Sequence, residues 1–308
     1  MNRQITLLGP APTPQLQRGL GDLDREAVVA TVTAGWQDRE GDDAELSDVI
    51  GIRTINLALH ARWLTVHEED REYGYAEREH EAALAELREL YLVQLDHALS
   101  AAYDVARRSD ARPRMREQAK ADALRVVQLL DEQHLQRLTE YQLKFYDAWR
   151  PHERPAVVRH RDEIRAILGG ASAVAIAGGH VGELTRVLHL FHVAPYLPPR
   201  VLAWSAGAMA LTERVVLFHD FVPHGVAQTE VYGTGIGVVP AVVALPHARR
   251  RLQVGDPIRM SLLARRFAPA RCLVLDDATR VPLDEDLRLP REARVLDHDG
   301  HVATLEPA

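Results

Sequence analysis

Val201-Leu202-Ala203-Trp204-Ser205-Ala206-Gly207-Ala208 is an apolar run that enters a serine and leaves it through small residues only. A strand that turns at a serine straight into a helix is the setting of a nucleophile elbow, G-x-S-x-G, here with Ala203 in the first position. The turn is tight, so the positions two before and two after the serine have to be small. The serine is pushed above the sheet edge. The following helix aims its N-terminus at the site, where the Ala206 N–H can help hold an oxyanion. The plainer reading of the same residues is a strand–helix turn with Ser205 as N-cap.

Working outward, residues 173–177 (AVAIA) read as a buried strand closed by Gly178-Gly179, and 157–168 as a helix before it. Residues 183–192 read as a helix, 195–200 as a loop, 201–204 as a strand and 206–216 as a helix. Nearer the start, 4–8, 27–33 (AVVATVT) and 54–59 (TINLAL) have strand character, with a helix at 42–50. Apolar strands alternating with helices predict an α/β fold with a mostly parallel sheet covered on both faces. Between 68 and 149 the pattern changes. Leu84, Leu87, Tyr91, Leu95, Ala98, Ala102 and Val105 recur at helical spacing, as do Ala119, Ala123, Val126, Leu130, Leu138, Tyr141 and Phe145. Ser109-Asp110-Ala111-Arg112-Pro113 breaks the two series, because Pro113 forces a new start. The expected organisation is an α/β domain formed by 1–67 and 150–308, interrupted by a long helical hairpin at 68–149. Beyond Cys272 the chain reads as short strands and hairpins, with Asp299-Gly300 a tight turn.

The 308 residues are 46% hydrophobic and 26% charged, which is enough apolar material for a sizeable core. A net charge of −7 gives no general reason to expect nucleic-acid or anionic-membrane binding. The single cysteine, Cys272, excludes an internal disulfide, a Cys-based zinc site and a CxxC motif, and makes a reducing cytoplasm the default. Lys120 and Lys144 are the only lysines and neither follows a Gly-rich loop, so a P-loop is absent. No apolar stretch reaches the roughly 20 residues of a membrane helix, and 1–14 lacks the pattern of a signal peptide.

A serine nucleophile needs a base, and the base needs an orienting carboxylate. Asp220 and His247 each follow a short apolar run (Val216-Leu217-Phe218-His219 and Val243-Ala244-Leu245-Pro246), as residues held at strand ends would. The order Ser, Asp, His is that of an α/β-hydrolase. Fifteen residues from Ser205 to Asp220 barely fit the elbow helix, however, and disfavour that fold.

Three landmarks in order resemble peptidase family S51, the serine peptidases that include aspartyl dipeptidase and cyanophycinase. They are Ala175-Ile176-Ala177-Gly178-Gly179-His180, the elbow at Ala203–Gly207, and Gly235-Ile236-Gly237-Val238-Val239-Pro240 leading to Leu245-Pro246-His247. The resemblance spans about 157–255. It implies a flavodoxin-like, class I glutamine amidotransferase-like fold, with Ser205 as nucleophile and His247 as general base. Asp220 is the implied acid and Glu230 the alternative. Gly179 and Ala206 would supply oxyanion N–H groups, the Gly178-Gly179 step letting the backbone approach the substrate carbonyl. His180 departs from the family's Asp, Asn or Gln, and Ala203 from its Gly. The amidotransferases that share this fold carry Cys at the elbow, where this chain has Ser205.

Other residues have two readings. His189 and His192, three apart on a helix, are a metal pair or partly buried helix histidines, and no third ligand is evident. His219 and His224 flank Asp220, and one of them could be a competing base. Arg249, Arg250 and Arg251 could hold an acidic side chain or a terminal carboxylate, or form a solvated run. Trp204 walls a substrate pocket or packs beneath the sheet. The expected function is amide hydrolysis through an acyl-enzyme in the cytoplasm, on a small peptide, aspartyl-containing ones included, with no metal, organic cofactor, nucleic acid or membrane, and a homo-oligomer left open. The competing expectation is a catalytically degenerate scaffold that binds or assembles through its helical hairpin.

Overall fold

The computed structural model describes residues 3–10, 12–110, 112–221 and 229–305. In chain order the elements are β1 (Gln4–Leu8), α1 (Thr13–Leu20), β2 (Val29–Val32), α2 (Ala44–Ile50), β3 (Thr54–Asn56), α3 (Leu59–Glu69), α4 (Arg71–Arg107), α5 (Pro113–Trp149), α6 (Pro155–Gly170), β4 (Ala173–Ile176), α7 (Val181–Leu190), β5 (Arg200–Trp204) and α8 (Ala206–Leu211). They continue with β6 (Arg214–Phe218), β7 (Thr229–Thr234), β8 (Val242–Pro246), α9 (Ala248–Arg251), α10 (Pro257–Phe267), β9 (Arg271–Leu275), β10 (Arg280–Pro282), β11 (Arg294–Leu296) and β12 (Val302–Thr304).

The central sheet has the order β10-β1-β5-β4-β2-β3, parallel except for β10 at its edge. Its strands are continuous apolar runs because both faces are covered. Leu202 and Trp204 face one side with Leu16 and Leu20 of α1 and Leu46 and Ile50 of α2. Val201 and Ala203 face the other with Ile164 and Leu168 of α6, Leu184 of α7 and Ala208 of α8. A second sheet, β12-β11-β9-β8, keeps only β8 and β9 parallel. One face packs toward α8 through Val242 and Ala244, the other on Met260, Leu263 and Phe267 of α10. Cys272 lies in that second core, where burial pushes its thiol up to about 12 and leaves it without thiolate character.

The expected helix over 206–216 stops at Leu211. Thr212 takes an extended backbone and its hydroxyl donates to Met209 O and Arg214 O. The β-branched Val215 and Val216 then pair antiparallel with β7. The helix expected at 183–192 begins earlier, at Val181, for a reason that lies in His180 and is given below.

Helices α4 and α5 run antiparallel: His80 meets Gln142, and Tyr91 meets both Asp131 and His134. The hairpin is fastened to the rest of the molecule at two depths. At its root, Glu77 accepts from Trp63 Nε1 (2.7 Å) and Tyr73 Oη (3.2 Å) and pairs with His67. Burial raises the Glu77 carboxyl, but the His67 and Trp63 bonds outweigh it and hold it below the usual range. Further along, the Asp131 and Arg266 side chains, 3% and 2% exposed, form an ion pair. Arg266 also donates to Thr229 O (2.6 Å) and Tyr91 Oη (3.1 Å). Tyr91 Oη, both Asp131 oxygens and all three Arg266 nitrogens have partners, the condition under which a buried ion pair is tolerated.

Candidate active site

The register of the central sheet brings three chain ends together. Leu8 pairs with Trp204 and Ile176 with Ala203, so Gly9 and Gly178 flank Ser205 just beyond the strands. This is the carboxyl edge of a parallel sheet, where α/β folds place their ligands. Ser205 itself is half-buried and holds φ 52°, ψ −122°, a conformation that L-residues rarely adopt. Its hydroxyl does not cap α8, which removes the plainer N-cap reading.

Gly178 has to be glycine. A Cβ there would stand 2.8 Å from Ser205 Cβ and 3.2 Å from Oγ. The turn at Ala34–Arg39 presses on the same loop from the other side. His180 N donates to Gly35 O (2.7 Å), and a Cβ on Gly35 would lie 2.8 Å from Gly178 O. Gly179 adopts φ 123°, available to glycine alone without strain. Met209 N reaches Ser205 O, so the first-turn N–H groups of Ala206, Gly207 and Ala208 lie outside the helix ladder. Among the described residues neither Gly179 N nor Ala206 N donates a backbone hydrogen bond, and both stand free for an oxyanion.

His247 follows β8 directly, in the left-handed conformation (φ 58°, ψ 32°), and begins α9. Burial first, and then the Arg251 cation, hold its imidazole below the usual histidine range. A neutral imidazole at pH 7 is the form that accepts a proton. Pro246 pairs with Leu275 in the parallel β8–β9 ladder, so His247 and Asp276 leave adjacent strand ends side by side. His247 N donates to Leu275 O (3.0 Å). Asp276 is half-buried; Oδ1 accepts from Arg249 N (3.1 Å), while the buried Oδ2 has no hydrogen bond. The Asp276 backbone lies against Gly9 Cα, and Gly9 N donates to Thr279 O (2.9 Å). The crest therefore carries Gly178, Ser205, Gly9, Asp276 and His247 in one continuous arc. Among the described residues the Ser205 and His247 side chains form no hydrogen bond with each other.

Two sequence expectations need correction. Asp220 is not free to orient His247: Oδ2 accepts from Gln253 N (2.8 Å) and Oδ1 from Arg259 Nη2 (2.6 Å), beyond the far end of α9. Glu230 pairs with Arg88 of α4 and ties the hairpin to β7. The carboxylates with the largest effect on His247 are Asp277 and Asp276. Sequence reasoning passed over Asp276, although Leu273-Val274-Leu275-Asp276 carries the same signal as the run before Asp220.

The remaining candidates separate clearly. His180 is exposed, and its Nδ1 accepts from Glu183 N (3.0 Å), so the ring is the N-cap of α7. An Asp or Asn at an N-cap makes the same bond, and here the imidazole Nδ1 supplies the acceptor. Trp204, 7% exposed, packs beneath the sheet with Leu8 and Leu202 instead of walling a pocket. His189 Nε2 faces Thr234 O at 3.4 Å, and among the described residues no cluster of three His, Cys, Asp or Glu could hold a metal. His219 is exposed, and His224 lies outside the described residues. Arg249 pairs with Asp276 and Arg250 with Asp277, while Arg251 forms no ion pair among the described residues. Gln37, in the turn that presses on the 178–180 loop, repeats the strained geometry of Ser205 (φ 57°, ψ −124°).

No family model matches the sequence, and no curated protein matches it. Among solved structures, a peptidase from an acI-B1 Actinobacterium aligns over 96% of this chain and 87% of its own, at 12% identity and a TM-score of 0.45. So distant a likeness carries no argument, and the geometry stands by itself. Among the described residues no helix is long and apolar enough to cross a membrane.

Proposed function

We propose that the chain is a serine hydrolase that cleaves amide bonds through an acyl-enzyme. The observation that carries this reading is Ser205, held in a strained backbone conformation at a strand–helix turn with its hydroxyl against Gly178. Strain of this kind persists only where the surroundings impose it, and it clusters at functional sites. In the proposed reaction His247 takes the Ser205 proton as Oγ attacks the carbonyl carbon. The oxyanion is held by Gly179 and Ala206 N–H. The proton then passes to the leaving nitrogen as the C–N bond breaks, and water reverses the first half to free the acid. Asp276 takes the orienting role, in place of Asp220 and Glu230, because it shares the strand-end position with His247.

The finer reading is a peptidase of the S51 type on a flavodoxin-like, class I glutamine amidotransferase-like fold. Its substrates would be small aspartyl-containing or cyanophycin-like peptides, its location the cytoplasm, and its chemistry would need no metal or organic cofactor. The reaction uses three side chains and two backbone N–H groups. A fluorophosphonate probe tests the core of this reading. Labelling of the wild type that disappears in Ser205→Ala supports it. A folded wild type that neither labels nor hydrolyses any of a panel of aspartyl dipeptides would instead support the degenerate scaffold.

A further inference from the structure

Beside the crest lies a cavity of about 740 Å³, walled by α4 and α5, floored by α7 and closed by β7. That volume lies within the usual range of small-molecule sites. Its rim touches the catalytic loop. Gly182 lacks a side chain, and the Tyr232 hydroxyl and the His180 ring edge close on its Cα. His180 is two residues from Gly178, which abuts Ser205.

The charges around this cavity are mostly cancelled. Arg88 is paired with Glu230 and Arg186 with Glu183. Two are not. Glu81 of α4, half-buried, forms no hydrogen bond or ion pair among the described residues, and burial raises its carboxyl above the usual range. Arg161 of α6 spends Nε and Nη2 on Leu190 O (2.8 and 2.5 Å) and has no carboxylate partner among the described residues. Burial lowers its guanidinium for the same reason. Burying one charge alone is expensive, and two of opposite sign lining one cavity point to a ligand that satisfies both.

The elements they lie against bound the ligand's length. The carboxylate of Glu81 lies near Arg186 and Tyr232, toward the rim. Arg161 is anchored at Leu190, the last residue of α7. Gly182 and Leu190 are eight residues apart, about 12 Å along the helix. Two or three extended residues span roughly 7–11 Å. Leu84, Leu138 and Leu143 line the cavity and suit apolar side chains.

We infer that this cavity binds a zwitterionic short peptide, its free α-ammonium at Glu81 and its free α-carboxylate at Arg161. The hairpin would then supply the part of the substrate site that reads chain termini. That last step rests on the hydrolase reading, whereas the binding itself does not.

The test uses the full chain carrying Ser205→Ala, so that nothing is turned over, and calorimetric titration with alanyl-leucine, its N-acetyl form and its C-terminal amide. The free dipeptide should bind, and each block should weaken binding at least about tenfold, equivalent to ~1.4 kcal/mol. Glu81→Gln should abolish the penalty for acetylation but keep that for amidation. Arg161→Gln should do the reverse. Blocked peptides that bind as tightly as the free one, or no binding by any of the three at millimolar concentration, would overturn the inference. If Arg161→Gln does not fold, the three ligands on the parent chain still decide. Labelling of the wild type by a serine-reactive probe is read separately, so loss of the hydrolase reading and loss of the zwitterion site are distinguishable.

Discussion

Gly178→Ala tests the crest most directly. Its φ lies outside the left-handed region, so the new methyl group acts through space and not through backbone strain. That methyl would sit 2.8 Å from Ser205 Cβ and 3.2 Å from Oγ. Carbon atoms in contact prefer about 3.5–4.0 Å, so close to 1 Å has to be found. The loop cannot retreat, because the turn at Gly35 presses on Gly178 O and holds His180 N. Ser205 therefore moves. A misplacement of about 1 Å at a reacting atom costs on the order of 10²-fold in rate. Overpacking adds a stability loss of about 1–3 kcal/mol. The assay is the second-order rate of fluorophosphonate labelling beside a thermal melt. Gly169→Ala is the control: nothing lies within 4 Å of it in the last turn of α6, and an alanine there should stabilise by no more than ~1 kcal/mol. An unchanged labelling rate in a folded Gly178→Ala protein would refute the idea that this loop covers the nucleophile.

Three further outcomes are expected. Asp276→Asn should lower kcat by about 10³–10⁴-fold with little change in Tm, as loss of an orienting carboxylate does, whereas Asp220→Asn should lower Tm by weakening the buried Asp220–Arg259 ion pair; the reverse pattern would restore Asp220 as the catalytic acid. The ascending limb of kcat/KM against pH should have its midpoint below the ordinary histidine value, and Arg251→Gln should move it upward by removing a cation beside His247; a midpoint insensitive to Arg251 would argue that burial alone sets it. Burial holds His134, stacked on Tyr91 at 4.0 Å, down at about 4, so between there and about 6.5 the unfolded chain binds a proton that the folded one refuses. Stability should fall as pH drops through that window, and His134→Phe should flatten the fall in Tm while keeping the stack.

The sequence made legible whatever depends on local pattern. Strands buried on both faces announced themselves as apolar runs, and Pro113 divided the hairpin near where α5 begins. What it concealed depends on partners. Val215 and Val216 look like the end of a helix until β7 lies beside them. Asp220 and Asp276 have nearly identical local contexts, an acid after an apolar run. Only the pairing of β8 with β9 places Asp276 next to His247 and leaves Asp220 to Gln253 and Arg259. His180 is an unusual residue type for an N-cap, where Ser, Thr, Asp and Asn are preferred. The helix cap requires an acceptor atom, which a histidine Nδ1 provides as well as a carboxylate oxygen.

The knot of Asp131, Arg266 and Tyr91 also bears on how the cavity receives a ligand. It pins the middle of the hairpin to α10, while Glu77 pins the root. Swinging the hairpin outward would break this ion pair and its hydrogen bonds together and expose the apolar residues packed around them, among them Leu95, Val127 and Leu262. The walls that the hairpin gives the cavity are therefore held at two points. A ligand of that cavity meets surfaces set in place beforehand, so little of its binding free energy goes into ordering the hairpin.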